Sequence, residues 1–288
     1  MDFLRGFRDR RADDAQRALD ERRLDDAERL LTELTAEGST RPDVWWNLGL
    51  VYKFQKRWPE SLAAFRRNGE LNPQPEAFWN TAVAATALRD WPTARWAWRQ
   101  LELEIPDGDG PPQADFGPAP LRLNPDGSGE VVWGRRIDPC RIQIESVPLP
   151  ESGHRWHDVV LHDVVPHGTR MLRGVSLSVF DELERMDPSP HPTYEADLRW
   201  SSPADEQELV DLIGDRDLGG ENWTSSITIL CAQCSLSNEH EHEPEHPEEI
   251  RLTGRWGFAG PLGELGRALR TWAGAHAERF VSELKPVG

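Results

Sequence analysis

The densest gathering of potential ligands lies in LCAQCSLSNEHEHEPEH, which begins at Leu230. Cys231 and Cys234 form a C-x2-C pair at the end of an apolar run, and His240, His242 and His246 follow closely. Zinc takes four ligands in a tetrahedron, and thiolate with imidazole suits it. A C-x2-C knuckle aims two thiolates at one point, and the following loop can return imidazoles to that point. Glu239, Glu241, Glu243 and Glu245 would attract a cation and orient its ligands from outside. Zinc in a structural site is therefore the expected cofactor. Two other readings stay open: an acidic loop carrying histidines beside two reduced cysteines, and a redox dithiol. The dithiol reading asks for a helix directly after C-x-x-C, which SLSNEHEHEPEHP does not supply.

A second cluster contains His154, His157, Asp158, His162, Asp163 and His167. Imidazoles and carboxylates at this density invite acid–base chemistry. The spacing opposes it. Side chains alternate along a strand, so His157 and Asp163 share one face and His162 takes the other. Convergence would need a bulge. The expectation is exposed strand and turn positions around a valine-rich core. Asn124–Glu130 resembles part of a calcium loop but lacks the full ligand series, so a hairpin turn is expected there. There is no nucleophile elbow, phosphate loop or dinucleotide fingerprint.

Charge narrows the partners. The net charge is -17, and it is unevenly placed. Residues 1–106 carry -1 and the rest -16. An acidic surface repels phosphate backbones, so nucleic acid is not an expected partner; the surface reads first as a solvated acidic face, and otherwise as one that meets a basic partner. No stretch is apolar enough to span a membrane, and the N-terminus lacks the apolar core of a secretory signal. Three cysteines with one close pair do not make a disulfide framework. A cytoplasmic protein is expected. Lys53, Lys56 and Lys285 are the only lysines, an arginine bias that points to a GC-rich bacterial genome.

These candidate ligands must be positioned by two different kinds of chain. Residues 1–106 show apolar residues at helical spacing throughout. Trp45, Leu48, Gly49 and Tyr52 fall in the order W-x2-L-G-x2-Y, followed by Ser61, Phe65 and Pro73. This stretch resembles one unit of the tetratricopeptide repeat. A degenerate unit precedes it, with Ala27, Leu31 and Leu34 on its second helix and Arg11 and Asp14 where an aromatic and a leucine are expected. A third unit follows, with Trp79, Ala82, Val83 and Thr86 matched to the first helix of the middle one. It stays in step through Ala94, Trp98 and Pro106 if one residue is dropped in its turn. Three such pairs are near the minimum for a stable stack.

The resemblance implies a concave face formed by the first helices, placing Trp46, Leu50, Lys53, Asn80, Ala84 and Ala87 toward a bound protein or peptide. Some family members clamp a terminal carboxylate with basic residues there. Glu76–Leu88 has no lysine or arginine, so that clamp is not expected.

Residues 107–120 are rich in proline and glycine and read as a linker. Beyond them, Glu130–Ile137, Arg141–Val147, Val159–Val165 and Val175–Val179 read as strands, with Cys140 a small core residue. Thr193–Trp200, Ile227–Cys231 and Arg251–Phe258 are further strands. A helix over Ala204–Ile213, capped by Ser202, and a final helix from Leu262 to about Leu284 complete the pattern. The expected fold is an all-α, tetratricopeptide-like array (1–106), a linker (107–120), and an acidic α+β domain (121–288) with helices on one face of an antiparallel sheet.

The expected function is a non-enzymatic adaptor or regulatory protein. It would bind a protein partner through the repeats and hold metal in the C-terminal domain. The alternatives are a metal-dependent enzyme in that domain, with the Cys/His cluster catalytic, and an acidic bacterial protein that neutralises a toxin.

Overall fold

A computed structural model describes residues 10–127, 129–225 and 251–287. The chain divides into two compact units, Met1–Ala114 and Asp115–Gly288. Among the described residues no helix is long and apolar enough to cross a membrane.

Among its described residues the first unit holds six helices: α1 (Arg10–Asp20), α2 (Leu24–Ala36), α3 (Pro42–Phe54), α4 (Trp58–Leu71), α5 (Pro75–Ala87) and α6 (Trp91–Gln100). They pair as the repeat pattern predicts. In the middle pair, a Cβ on Gly49 would lie 2.7 Å from Phe65 Cε1. Only glycine lets the ring of α4 seat against α3. The Ser61 hydroxyl of α4 donates to the Gly49 carbonyl at 3.0 Å, so the close approach is also hydrogen-bonded.

The corners between paired helices repeat. Arg22, Lys56 and Arg89 each follow the first helix of a pair and adopt positive φ of 57°, 58° and 58°. At each corner two amide N–H groups reach back to the helix end. Arg23 donates to the Ala18 carbonyl, Arg57 to Tyr52 and Asp90 to Ala85, with Arg22, Lys56 and Arg89 donating to Leu19, Lys53 and Thr86. This pair of hydrogen bonds satisfies carbonyls that a helix end leaves open. Proline then occupies the start of α4 and α6, where its missing N–H costs nothing.

The corners correct the expected alignment of the third unit. The helices α3 and α5 have the same length, 13 residues, and run into matching corners at Lys56 and Arg89. No residue is dropped in the turn. Ala82 therefore matches Gly49, and Asn80 matches Asn47.

The second unit opens with a closed five-stranded barrel: β1 (Pro118–Arg122), β2 (Val131–Asp138), β3 (Arg141–Ile144), β4 (Val159–Leu172) and β5 (Val175–Asp187). Neighbours are antiparallel, and β1 closes the barrel against β5 in parallel, with Leu121 opposite Phe180. The segment expected as linker contributes β1. Its prolines are tolerated because β5 pairs only with Leu121 and Arg122. The turn after β1 is the expected hairpin, with Gly127 N–H donating to the Asn124 carbonyl. Leu121, Leu123, Ile142, Ile144 and Val160 fill the barrel core, and Cys140 is buried as expected.

A second sheet follows, ordered β10–β6–β8–β7, with β9 also on β6. Its strands are β6 (Thr193–Arg199), β7 (Gly219–Asn222), β8 (Thr253–Ala259), β9 (Phe280–Val281) and β10 (Lys285–Val287). Ala196, Leu198, Trp256 and Phe258 face the helices α7 (Pro203–Gly214) and α8 (Leu262–Ala275). Both helices lie on one face of an antiparallel sheet, as predicted. Ser202 caps α7, with Asp205 completing a capping box. Against expectation α8 ends at Ala275. The Arg279 guanidinium donates to the Trp272 carbonyl of α8 and to Asp205 of α7, which turns the chain back into β9. On the sheet's other face, Val147, Trp156, Trp223 and Ala259 form a small core that joins barrel to sheet. The expected strand Ile227–Cys231 lies outside the described residues.

Candidate functional site

The array offers a surface built from the first helices. Trp46 and Leu50 of α3 are partly exposed, while Lys53, Asn80 and Ala84 are buried and Ala87 is partly buried. Trp46 meets Phe65 edge to face, with ring centres 5.5 Å apart, so one edge of the indole is committed to packing. Lys53 donates to Asn80 Oδ1 at 3.1 Å. That bond joins α3 to α5 beneath the surface. Asn47 makes the equivalent reach to Gln16 of α1 at 2.8 Å. The equivalence follows from the corrected alignment, which places Asn80 between repeats. An aromatic pair that sequence reasoning missed lies on the third unit. Phe78 meets Trp96 edge to face at 5.7 Å, and Trp96 is 45% exposed.

The imidazole and carboxylate cluster of the barrel behaves differently from expectation. His154, Asp158, His162 and Asp163 are buried, not exposed. His162 and Asp163 lie on β4, where register shifts against β5 mark bulges, while His154 and Asp158 lie in the turn just before that strand. Even so, the histidines do not converge. His154 Nε2 lies 3.0 Å from Glu182 Oε1 and its Nδ1 3.5 Å from Asp158 Oδ2. His162 Nδ1 contacts the Asp163 carbonyl at 2.7 Å. His167 lies 2.8 Å from Asp181, which also receives both arms of the Arg122 guanidinium.

Burial alone would lower the His154 pKa, but hydrogen bonds to Asp158 and Glu182 outweigh it and raise it to about 9. Asp158 is held below the usual carboxylate range. Its burial works the other way but is outweighed by His154 and by the amides of Ser189 and Arg155. Glu182 also accepts the Asn124 amide at 2.9 Å. The cluster thus joins the hairpin turn, the turn before β4, and β5 through ionic hydrogen bonds. Access to it is narrow. The cavity beside His154, between Pro148, Pro150, Thr193 and Val287, measures about 120 Å³, smaller than the ~300 Å³ at the low end of ligand pockets.

Two acids missed by sequence reasoning sit nearby. Glu130 accepts the Leu149 amide and Glu221 the Val147 amide. Burial, first of all, pushes the Glu130 carboxyl up to about 7, and the neighbouring Glu221 adds to it. Burial raises Glu221 as well. A paired placement on one backbone segment leaves little trace in sequence, because the two acids are far apart along the chain.

Asp205, Glu208 and His276 bring ligand atoms within 4.8 Å of one another. Arg279 already pairs with both carboxylates of this group, 2.9 Å from Asp205 and 2.6 Å from Glu208. Asp205 also accepts from the Ser201 hydroxyl and amide, which hold its pKa down. A cation there would displace an arginine, so the group serves as a clamp between α7 and the chain after α8. The predicted ligands Cys231, Cys234, His240, His242 and His246 lie outside the described residues.

Neither a protein-family model nor a curated protein matches the sequence. Among solved structures, the complex titled "TPR2B-domain:pHsp70-complex of yeast Sti1" aligns over 31% of this chain and 76% of that one, at 17% identity and a TM-score of 0.29. A hypothetical protein from Neisseria gonorrhoeae aligns over 60% of this chain and 96% of that one, at 11% identity and a TM-score of 0.22. At such scores neither likeness bears on the fold or function of this chain.

Proposed function

We propose that this protein is a non-enzymatic adaptor whose helical array binds a protein or peptide and whose acidic unit engages a second, basic partner. The observation that carries the reading is the array itself: helix pairs with matching corners and aromatic side chains left at the surface. Stacked helix pairs of this kind present extended binding faces. The contact face centres on Trp46 and Leu50, with the partly buried Ala87 at its side and the buried Lys53, Asn80 and Ala84 packed beneath it. Because Lys53 is engaged with Asn80, recognition there rests on shape and apolar contact, not on capture of a carboxylate.

The test uses the full chain as bait, with in-cell cross-linking and quantitative recovery of partners. Leu50→Arg changes the partly exposed face without touching the Gly49–Phe65 contact. It should reduce recovery of an array partner at least tenfold while helicity stays unchanged. Full recovery by a folded Leu50→Arg chain overturns the assignment of this face.

The donor set Cys231, Cys234, His240, His242 and His246 is proposed to hold structural zinc, supported by ligand type alone. Protein purified without chelator should carry about one zinc per chain and lose it in a Cys231→Ser/Cys234→Ser variant.

A further inference from the structure

Six histidines lie among the described residues, and four have identified protein neighbours. His154 is held by Glu182 and Asp158, His162 by the Asp163 carbonyl, and His167 by Asp181. His276 lies beside Asp205 and Glu208. The remaining two are His157 and His191. Their ring nitrogens have no hydrogen-bond partner among the described residues, and they are next to each other.

The two imidazoles come from different loops. His157 lies just before β4, and His191 lies between β5 and β6. Their ring centres are 5.7 Å apart at an interplanar angle of 81°. Two imidazoles on one ion place their ring centres about 5–6 Å apart, given a metal–nitrogen distance of about 2 Å. The observed separation falls in that range. Ring orientation about the last torsion is soft for histidine, so both nitrogens can be aimed at one point without moving the backbone.

The surroundings hold the pair in place. The His157 ring stacks on Trp156 with centres 3.5 Å apart, and His191 meets the same indole at 4.9 Å. Trp156 is itself locked in the small core between barrel and sheet. His157 adopts a φ of 70°, and its amide donates to the Ile144 carbonyl at 2.8 Å. A non-glycine residue in this conformation persists only when its surroundings over-determine it. Burial, and then the nearby His191, lower the His157 pKa. Asp217 and Glu145 oppose that shift through their charge, and Glu145 is taken by Arg135 at 2.8 Å. Asp217, in the turn before β7, is the carboxylate left to balance a cation.

We propose that His157 and His191 together chelate a divalent transition-metal ion of the zinc, copper and nickel class, with Asp217 as the charge-balancing carboxylate. Water completes the coordination. Imidazole donors select this class over magnesium and calcium, which prefer oxygen.

The test is a Cu²⁺ titration of the full chain read by tryptophan fluorescence. Cu²⁺ quenches an indole in contact with its ligand, so the signal is specific to Trp156 when taken as the difference from a Trp156→Phe chain. To remove competition, the titration uses a Cys231→Ser/Cys234→Ser/His240→Ala/His242→Ala/His246→Ala background of unchanged circular dichroism. One saturable equivalent is expected, weakened at least tenfold by either His157→Ala or His191→Ala and severalfold by Asp217→Asn. Quenching that is unchanged in His157→Ala/His191→Ala, or that never saturates, overturns the proposal. If the background chain fails to fold, native mass spectrometry of the otherwise unaltered protein decides. Loss of one bound Cu²⁺ on His157→Ala/His191→Ala supports the site, and unchanged stoichiometry overturns it.

Discussion

The helical array and the barrel solve the problem of a stable interior in opposite ways. The array fits side chains by size. Gly49 makes room for Phe65, and buried Ala15 and Ala82 take the equivalent place in the other two units. Its ion pairs, such as Arg67 with Glu70 and Arg29 with Glu33, stay at the surface. The barrel instead encloses charge. Asp138 and Arg141 are both nearly inaccessible and lie 2.6 Å apart, and His154, Asp158 and Glu182 are packed beside the apolar core. A size-fitted interior tolerates changes that keep volume. A charge-paired interior tolerates only changes that keep every partner.

The largest effects should come from breaking each interior by its own rule. Arg141→Ala leaves the Asp138 carboxylate buried without its cation and should cost the second unit about 3–5 kcal/mol. Phe65→Ala should cost the array a similar loss of about 3–5 kcal/mol. The contrast lies in the rescue. Phe65→Leu should recover most of the array loss, because volume is what matters there. Asp138→Asn/Arg141→Met should recover most of the barrel loss. The introduced amide oxygen keeps an acceptor for the two backbone N–H groups, of Cys140 and of the residue after it, that the Asp138 carboxylate now receives. Hydrogen exchange in increasing urea, read by mass spectrometry on peptides from each unit separately, measures both. Equal failure of the two rescues would remove the distinction.

A smaller effect separates the two regions by pH. Glu130 is raised from 4.5 to about 7 and His154 from 6.5 to about 9. Both bind protons more tightly when folded. The contribution of Glu130 is complete below about pH 4.5 and is lost as the pH rises through 7; that of His154 is complete below about 6.5 and is lost through 9. In the array the sign reverses. The Arg41 guanidinium holds Asp43 low, and Gln55 and Arg57 hold Glu28 low against its burial. Their contributions are present above the unfolded values and are lost on acidification. Asp158 adds an acid-side loss to the second unit as well. Between pH 5 and 9 the second unit should lose on the order of 1–3 kcal/mol while the array changes little. Glu130→Gln should flatten the part between pH 5 and 7 and leave the rest; an unaltered slope there assigns the titration to another group.

The smallest effect is local. Asp90 Oδ1 accepts the Thr93 amide at the start of α6, so Asp90→Ala should destabilise the array by about 1 kcal/mol. Removing the exposed Arg67–Glu70 pair should change it by less than about 0.5 kcal/mol. Thermal unfolding of the two variants side by side checks the ranking.

The array was legible because its information is local. Helical spacing, Gly49 and the proline-started second helices all fall within one repeat. The register of the third unit was misjudged because Trp45-Trp46 and Phe78-Trp79 offer two alignments one residue apart, and only the corner at Arg89 decides between them. The barrel was less legible. Its strands β2 to β5 carry β-branched runs, but β1, with two prolines, has no such signal and exists because β2 and β5 accept it. The burial of His154 and Asp158 depends on a turn before β4 and on partners such as Glu182 and Ser189 far along the chain, and no local pattern marks either. The end of α8 depends on Arg279 reaching α7, a tertiary event. Of the candidate sites, the Cys/His stretch was visible in sequence. The pairing of His157 with His191 was not, because two loops bring them together.

The parallel closure of the barrel bears on how the protein emerges from the ribosome. The array can fold once its three helix pairs are available, since its contacts are between neighbours. The barrel cannot close until β5 arrives to pair Leu121 with Phe180 and to set Asp181 against Arg122. Until then β1, with its free edge and the apolar Leu121 and Leu123, waits exposed. During synthesis the array is therefore a finished body while the barrel is still open, and a chaperone meeting the nascent chain would find its unprotected strands there.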